Sequence, residues 1–137
     1  LDTLQAVVGN WLIPKTEEIA SQRIVNAKRY DAGLRTIDQI RIPPRLEEYR
    51  IVYHLYMVFA KERDRLLSFL KDNAIEAKIH YPIPIYRQKA LKYLNHKAGD
   101  FPVTDSHADN LISFPCDQHL ENEQIDFVIK KVKEFYS

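Results

Sequence analysis

The segment His80-Tyr81-Pro82-Ile83-Pro84-Ile85-Tyr86, called the proline ribbon below, constrains the fold of this chain more than any other stretch. Each proline holds its own φ at about −65° and biases the residue before it towards extended backbone. The ribbon is therefore predicted to be stiff and extended, and it cannot donate a full ladder of hydrogen bonds. His80 and Tyr81 would lose little entropy on binding a ligand. Two interpretations follow: a ligand-binding surface, or an edge strand leaving a sheet.

Size and composition narrow the class of protein. The chain has 137 residues, enough for one domain with a real core, and a net charge of +1 argues against a nucleic-acid partner. No apolar run approaches the roughly 18 residues of a membrane span, so no membrane partner is expected. One cysteine, Cys116, excludes an internal disulfide and agrees with a cytoplasmic location. Because the sequence begins at Leu1, we expect it to be part of a longer protein.

The first 36 residues predict a pair of helices. Asp2 can cap the first, with Gln5 in the capping-box position, and Pro14 separates it from a second helix that ends near Gly33. Arg23 interrupts the apolar stripe of that second helix and needs a partner for its charge. The predicted inward stripe is Ile19, Ala20, Arg23, Ile24, Ala27, Tyr30 and Leu34.

The remaining sequence predicts an α+β unit. The segment 51–59 is rich in β-branched and aromatic residues, which indicates a central strand. A following helix and strand would complete a β-α-β unit. The last helix can be capped by Asn122, or by Glu121 with Gln124. The other predicted elements are helix 61–73, strand 76–80, helices 86–94 and 102–110, and strand 111–115.

Spacing alone identifies no catalytic residue, no cofactor-binding residue and no metal ligand. None of the five histidines pairs as in H-E-x-x-H, and Cys116 with His119 lacks the second half of a zinc site. None of the three glycines belongs to a phosphate-cradling motif. Cys116 is predicted to be a buried small residue. His54 is either a hydrogen-bonded core histidine or a site residue.

A series of short motifs runs in order through nearly the whole chain. They are Leu1-Asp2-Thr3-Leu4-Gln5-Ala6, Arg23-x-x-x-Ala27-x-x-Tyr30, Tyr53-His54-Leu55-Tyr56, Arg63-Asp64-x-Leu66, His80-Tyr81-Pro82-Ile83-Pro84, Gly99-Asp100-Phe101-Pro102-Val103, Ser113-Phe114-Pro115 and Glu123-Gln124-Ile125. In this order they closely resemble the C-terminal part of the DegT/DnrJ/StrS family, the pyridoxal phosphate (PLP)-dependent sugar aminotransferases. The sequence departs from the family at Tyr86, where a histidine is common, and at Glu121, where a threonine cap is usual.

The resemblance implies a fold and a domain assignment. Residues 1–137 would be the small C-terminal domain of a fold-type-I PLP transferase, a short β-sheet packed with helices and preceded by a helical pair. Residues 1–36 would pack on a large domain that this chain lacks. The Schiff-base lysine and the phosphate-binding residues would belong to that large domain. This chain alone is therefore expected to bind no PLP and to be inactive.

The resemblance also implies a function for the full-length protein. It would transfer an amino group, from glutamate, to a nucleotide-linked keto-sugar in the synthesis of surface glycans or glycosylated metabolites, as a homodimer. His80 and Tyr81 would contact the nucleotide-sugar, and His54 is a further substrate-binding candidate. Two alternatives remain open: a free-standing non-catalytic binding or regulatory module, and a sugar dehydratase of the same family in which the lysine is replaced.

Overall fold

Helices flank a small antiparallel sheet in the computed structural model, which describes residues 2–137 and confirms the α+β class. The helices are α1 (Thr3–Leu12), α2 (Thr16–Leu34), α3 (Arg63–Asp72), α4 (Pro102–Asn110) and α5 (Asn122–Phe135). The strands are β1 (Ile40–Arg41), β2 (Tyr56–Ala60) and β3 (Leu111–Phe114). Short 3₁₀ segments occupy Ile13–Lys15, Ile85–Arg87 and Lys89–Leu94.

The predicted helical pair is present, and its first cap forms as the sequence indicates. The Asp2 carboxylate accepts the backbone N–H of Gln5 at 2.8 Å, and the Gln5 side chain accepts that of Asp2 at 3.2 Å. Pro14 lies in the 3₁₀ turn between α1 and α2. None of the residues of α1 is buried, whereas α2 buries Tyr30 and Leu34 in the core. The two helices therefore have different surroundings within residues 2–137.

The sheet has the order β1-β2-β3, so β2 is central as predicted. The predicted strand 51–59 is nevertheless too long, because β2 begins only at Tyr56. Tyr53 has a φ of +49°, in the left-handed region, and its carbonyl accepts a hydrogen bond from Arg23 rather than from a strand. The two-residue β1 was missed because a polar loop surrounds it.

The predicted strand 76–80 is wrong, and with it the β-α-β unit. This segment contributes one antiparallel bridge, from Lys78 to Ser113 of β3, and the sheet itself is antiparallel. Ala77 donates its N–H to the carbonyl of Ile75, two residues earlier, so the local backbone turns instead of extending a ladder.

The predicted helix 86–94 is confirmed only in part, since the segment is helical as two 3₁₀ pieces separated by Gln88, whose ψ is 146°, and not as one α-helix. No residue of the turn Lys89–Leu94 is buried, and a short helix without a packed apolar face is marginal in water. By contrast, helix α4 spans the predicted residues. Helix α5 is capped by Glu121 together with Gln124, so the departure from threonine at position 121 keeps a working cap.

Three aromatic rings connect α2, β2 and β3 at the centre of the core. Tyr30 stacks on Tyr56 with ring centroids 4.7 Å apart, and Phe114 lies 6.4 Å from Tyr56. The Tyr30 hydroxyl donates to the carbonyl of Pro115 at 2.9 Å, and the Tyr56 hydroxyl donates to Asp31 at 2.7 Å. Burial raises the pKa of both tyrosines, so both stay protonated donors.

Helices α2 and α5 approach each other most closely at Gly33. A Cβ atom on Gly33 would lie 2.6 Å from Cδ1 and 2.8 Å from Cγ2 of Ile129, which is buried. Because isoleucine is β-branched and has one preferred χ1 in a helix, Cγ2 cannot rotate away from the new Cβ without leaving that rotamer. The helix pair therefore needs glycine at this position.

Gly33→Ala is expected to lower the free energy of unfolding by about 1–2 kcal/mol, because overpacking against Ile129 at the upper end of the usual range of about 1–3 kcal/mol outweighs the roughly 1 kcal/mol helix preference of alanine. Urea unfolding measures the change. The matched control is Gly9→Ala in α1, where a Cβ would meet nothing within 4 Å; this variant should be neutral or more stable. Equal stability of the Gly33→Ala variant and the parent would contradict the packing argument.

Candidate functional site

The proline ribbon is held to the fold on one side and open on the other. Pro84 and Tyr86 are buried, while Tyr81, Ile83 and Ile85 between and before them are exposed. Burial does not alternate regularly, because Pro82 is also exposed, and Ile85 and Tyr86 lie in a 3₁₀ turn. The prediction that the whole ribbon is extended is therefore wrong at its end. The ribbon is thus neither a free loop nor a strand of the sheet.

His80 is half-buried at the start of the ribbon and is held there by a side-chain hydrogen bond. Its Nδ1 lies 2.9 Å from the Oγ of the buried Ser113 in β3. Its ring meets the ring of Tyr81 edge-on, with centroids 5.6 Å apart and planes at 83°. The peptide bond between His80 and Tyr81 is cis. Tyr81 itself is 75% exposed.

An open, largely apolar cavity of about 710 Å³ lies beside these two rings. Its volume is in the range of small-molecule sites. The ribbon, the outward face of β2 and helix α4 supply most of its walls. The lining residues are Pro43, Met57, Phe59, His80, Tyr81, Ile83, Pro84, Ile85, Gln88, Thr104, His107, Ala108 and Leu111.

Sequence reasoning missed the contributions of β2 and α4 to this cavity. The inward residues of β2 are buried, whereas Met57 and Phe59 are half-buried on its other face. The ring of Phe59 lies 4.7 Å from that of His107 on α4. The period-two alternation along β2 is the signal that could have pointed to Met57 and Phe59. Nothing in the local sequence of α4 points to His107.

Helix α4 owes its position to a buried arginine that the sequence did not single out as a site residue. Arg63, 7% exposed, donates to the carbonyl of Leu111 at 2.7 Å and to that of Ala108 at 2.9 Å. It also pairs with Asp64 at 2.7 Å. Arg63 therefore satisfies carbonyls at the junction of α4 and β3, where two cavity-lining residues lie.

A second, smaller cavity of about 240 Å³ brings together His54 and His80. His54 is exposed, so its interpretation as a core histidine is wrong. Arg23 donates to the carbonyls of Tyr53 and His54, each at 3.2 Å, and to the side chain of Gln118 at 3.2 Å. The predicted partner requirement of Arg23 is confirmed. His80 borders both cavities, while Tyr81 borders only the larger and His54 only the smaller.

Comparison with known proteins decides the family. The sequence model of the DegT/DnrJ/EryC1/StrS aminotransferase family matches residues 1–133. The chain belongs to this family. The resemblance that the motifs carry is thereby confirmed for nearly the whole chain.

The relatives of this family member include proteins with enzymatic and with regulatory names. A "Pleiotropic regulatory protein" of Geobacillus stearothermophilus is 30% identical over 99% of this chain, and a dTDP-3-amino-3,4,6-trideoxy-alpha-D-glucose transaminase of Streptomyces venezuelae is 30% identical over 98%. The X-ray structure of S. venezuelae DesV in complex with ketimine intermediate superposes on the whole chain with a TM-score of 0.96 at 30% identity. The chain spans only 36–37% of the length of these proteins.

Three further features of this family member are its possible metal ligands, its single cysteine and its helices. Within residues 2–137 no group of three or more His, Cys, Asp or Glu side chains could hold a metal ion. Burial raises the pKa of the Cys116 thiol to about 11, so it is not a thiolate nucleophile at neutral pH. None of the described helices is both long and apolar enough to span a membrane.

The end of the ribbon is anchored by Tyr86, at the position where the sequence departs from the family pattern. The Tyr86 hydroxyl donates to Asp105 of α4, which also accepts the Gly99 N–H at 3.0 Å and pairs with Arg87 at 2.9 Å. The hydrogen bond from Tyr86, helped by the Gly99 N–H and the charge of Arg87, holds the pKa of Asp105 below its usual value.

Asp105 should make the stability of the fold depend on pH in the acid range. The pKa of Asp105 is lower in the folded state than in the unfolded state, where it is about 3.9. The stabilisation from Asp105 is therefore fully present above the unfolded-state pKa and is lost as the pH falls through the folded-state pKa. We expect Asp105→Asn to be less stable than the parent at neutral pH, with the difference shrinking below about pH 4. Denaturant unfolding at several pH values measures this. Asp109→Asn, at an exposed aspartate of the same helix, should show a smaller and flatter difference. A constant difference for Asp105→Asn from about pH 6 to about pH 2.5 would contradict the assignment.

Proposed function

We propose that this chain is the C-terminal small domain of a PLP-dependent aminotransferase that transfers an amino group, from glutamate, to a nucleotide-linked keto-sugar. The observation that carries the proposal is the open cavity beside His80 and Tyr81, in a chain that superposes over its whole length on a member of the aminotransferase family. Such an enzyme would serve the synthesis of surface glycans or glycosylated metabolites in the cytoplasm, where we place it.

His80 and Tyr81 are the proposed contacts to the nucleotide-sugar. The exposed Tyr81 offers an aromatic face, which suits a base or a sugar ring, and the apolar cavity walls would exclude water from the ligand. His80 offers a polar ring nitrogen between the two cavities. His54 is a second candidate, limited to the smaller cavity. In the proposed homodimer this wall would face the site of the neighbouring subunit.

The residues of this chain do not by themselves fit a PLP site. No lysine lines the larger cavity, and Lys78, which lines the smaller one, is paired with Glu76 at 2.7 Å and remains 59% exposed. Gly33 is used in helix packing rather than in a phosphate cradle. We therefore propose that the Schiff-base lysine lies outside this chain and that the chain alone is inactive. PLP in the full-length enzyme would supply the amino-transfer chemistry.

Residues 1–36 are proposed to pack on a large domain. Helix α1 projects apolar side chains that nothing within residues 2–137 buries, among them Leu4, Val7 and Trp11. An apolar patch of this kind is a typical protein-protein contact surface.

The first test of function is a substitution in the full-length enzyme. His80→Ala should raise the KM for the nucleotide-linked keto-sugar about tenfold, the effect of one lost hydrogen bond, and leave the KM for glutamate unchanged. Steady-state kinetics with each substrate varied separately measure both constants. The control is His119→Ala, at an exposed histidine that lines neither cavity. An unchanged KM for the sugar in His80→Ala would count against the assignment, and a parent enzyme without transaminase activity would refute the function.

The domain proposal predicts self-association of this chain when it is produced alone, because the apolar side chains of α1 would then seek another surface. Light scattering over a range of concentrations should show a mass above the 16.1 kDa of one chain. Replacing Val7 and Trp11 by lysine should restore a monomer. Val103→Lys, at an exposed position of α4, is the control and should leave the association unchanged. A monomeric parent at high concentration would argue against the proposal.

A further inference from the structure

Ser113 makes the side-chain hydrogen bond that fixes the ring of His80. Its side chain lies on β3, 4% exposed, between the buried residues Ile112 and Phe114. Its Oγ lies 2.9 Å from Nδ1 of His80, and no other hydrogen bond of this hydroxyl occurs within residues 2–137. The contact therefore connects strand β3 directly to the proline ribbon.

The same serine also sets the backbone position of the ribbon. Ser113 donates its N–H to the carbonyl of Lys78 at 2.8 Å and accepts the Lys78 N–H at 3.0 Å. These two bonds lie two residues before His80, so one residue of β3 determines both the register of the segment and the orientation of the ring. Beyond this bridge the prolines limit further motion of the backbone.

The direction of the hydroxyl bond follows from the needs of a buried donor. A buried hydroxyl proton without an acceptor is costly, and Nδ1 of His80 is the acceptor within reach. The hydroxyl therefore donates, and Nδ1 accepts through its lone pair. A neutral imidazole that accepts at Nδ1 carries its proton on Nε2. With the opposite tautomer, the Ser113 proton would have no acceptor in the described part of the chain.

We propose that Ser113 is a positioning residue that holds His80 as the Nε2–H tautomer, so that Nε2 donates a hydrogen bond to an oxygen of the bound nucleotide-sugar. This rests on the proposed function, because it takes His80 as a substrate contact. It adds the chemistry of that contact. The ligand group is a hydrogen-bond acceptor, namely a hydroxyl, carbonyl or phosphate oxygen. Nε2 of His80 carries a proton and therefore does not act as a base. Nε2 makes no hydrogen bond within residues 2–137, and its ring borders both cavities.

Kinetics of paired variants in the full-length enzyme test the donor. Glutamine carries an amide N–H near the place of Nε2, whereas asparagine carries one near Nδ1. His80→Gln should keep the KM for the nucleotide-sugar within about threefold of the parent, and His80→Asn should raise it about tenfold. Ser113→Ala should raise this KM severalfold without changing the KM for glutamate, and Ser113→Cys, which is somewhat larger but keeps a weak donor, should fall between. Equal effects of glutamine and asparagine, or a normal KM in Ser113→Ala, would overturn the proposal.

Nitrogen-15 NMR of histidine-labelled full-length enzyme tests the tautomer independently of activity. The His80 signals, assigned by their loss in His80→Gln, should show a protonated Nε2 and an unprotonated Nδ1 in the parent, and a mixture in Ser113→Ala. A proton on Nδ1 in the parent, or an unchanged tautomer in Ser113→Ala, would overturn the positioning role. These spectra decide the serine–histidine bond even if the parent enzyme does not aminate nucleotide-linked sugars, so the two proposals can fail separately.

Discussion

The stack of Tyr30 on Tyr56 is the contact on which the rest of the structure depends. It joins the long helix α2 to the central strand β2. Stacking of this kind stabilises a core by about 0.5–1.5 kcal/mol beyond the burial of apolar area. Each of the two buried hydroxyls has a hydrogen-bond acceptor, so the stack leaves no unsatisfied polar group. With one face of β2 committed to this stack, the alternation of the strand directs Met57 and Phe59 to the opposite face. That opposite face becomes a wall of the larger cavity. The candidate site therefore lies on the face of β2 opposite the hydrophobic core.

The proline ribbon, which forms another wall of the larger cavity, has little conformational freedom. It is tied at its start by the paired backbone bonds between Lys78 and Ser113, in its middle by the buried Pro84, and at its end by the hydrogen bond from Tyr86 to Asp105. Between these points Tyr81 stays exposed. A surface that is already ordered loses less conformational entropy when a ligand binds. Binding is therefore the role to which the local geometry is suited, and chemistry on the amino group belongs to residues outside this chain in the function we propose.

Much of the fold could be predicted from local sequence, and the two strand predictions that failed share a cause. Helices α1 and α5 carry their own capping boxes, so their starts needed no tertiary information. The segment 51–55 looked like a strand, but Arg23 takes the carbonyls of Tyr53 and His54 from another element. The segment 76–80 looked like a strand, yet only Lys78 finds a partner. In each case the hydrogen-bond partner is distant in sequence, and β pairing depends on such partners more than helix formation does.

The sequence by itself determined the family, the class of fold and the stiff ribbon with His80 and Tyr81 at its head, because motif order, capping and proline geometry are local properties. Only the tertiary structure decided which residues lie next to His80 and Tyr81. It brought Phe59 of β2 and His107 of α4 to one cavity, moved His54 to another, and set Ser113 against Nδ1 of His80. No local pattern encodes these neighbours, because each contact joins segments that are far apart along the chain and meet only when the core has packed.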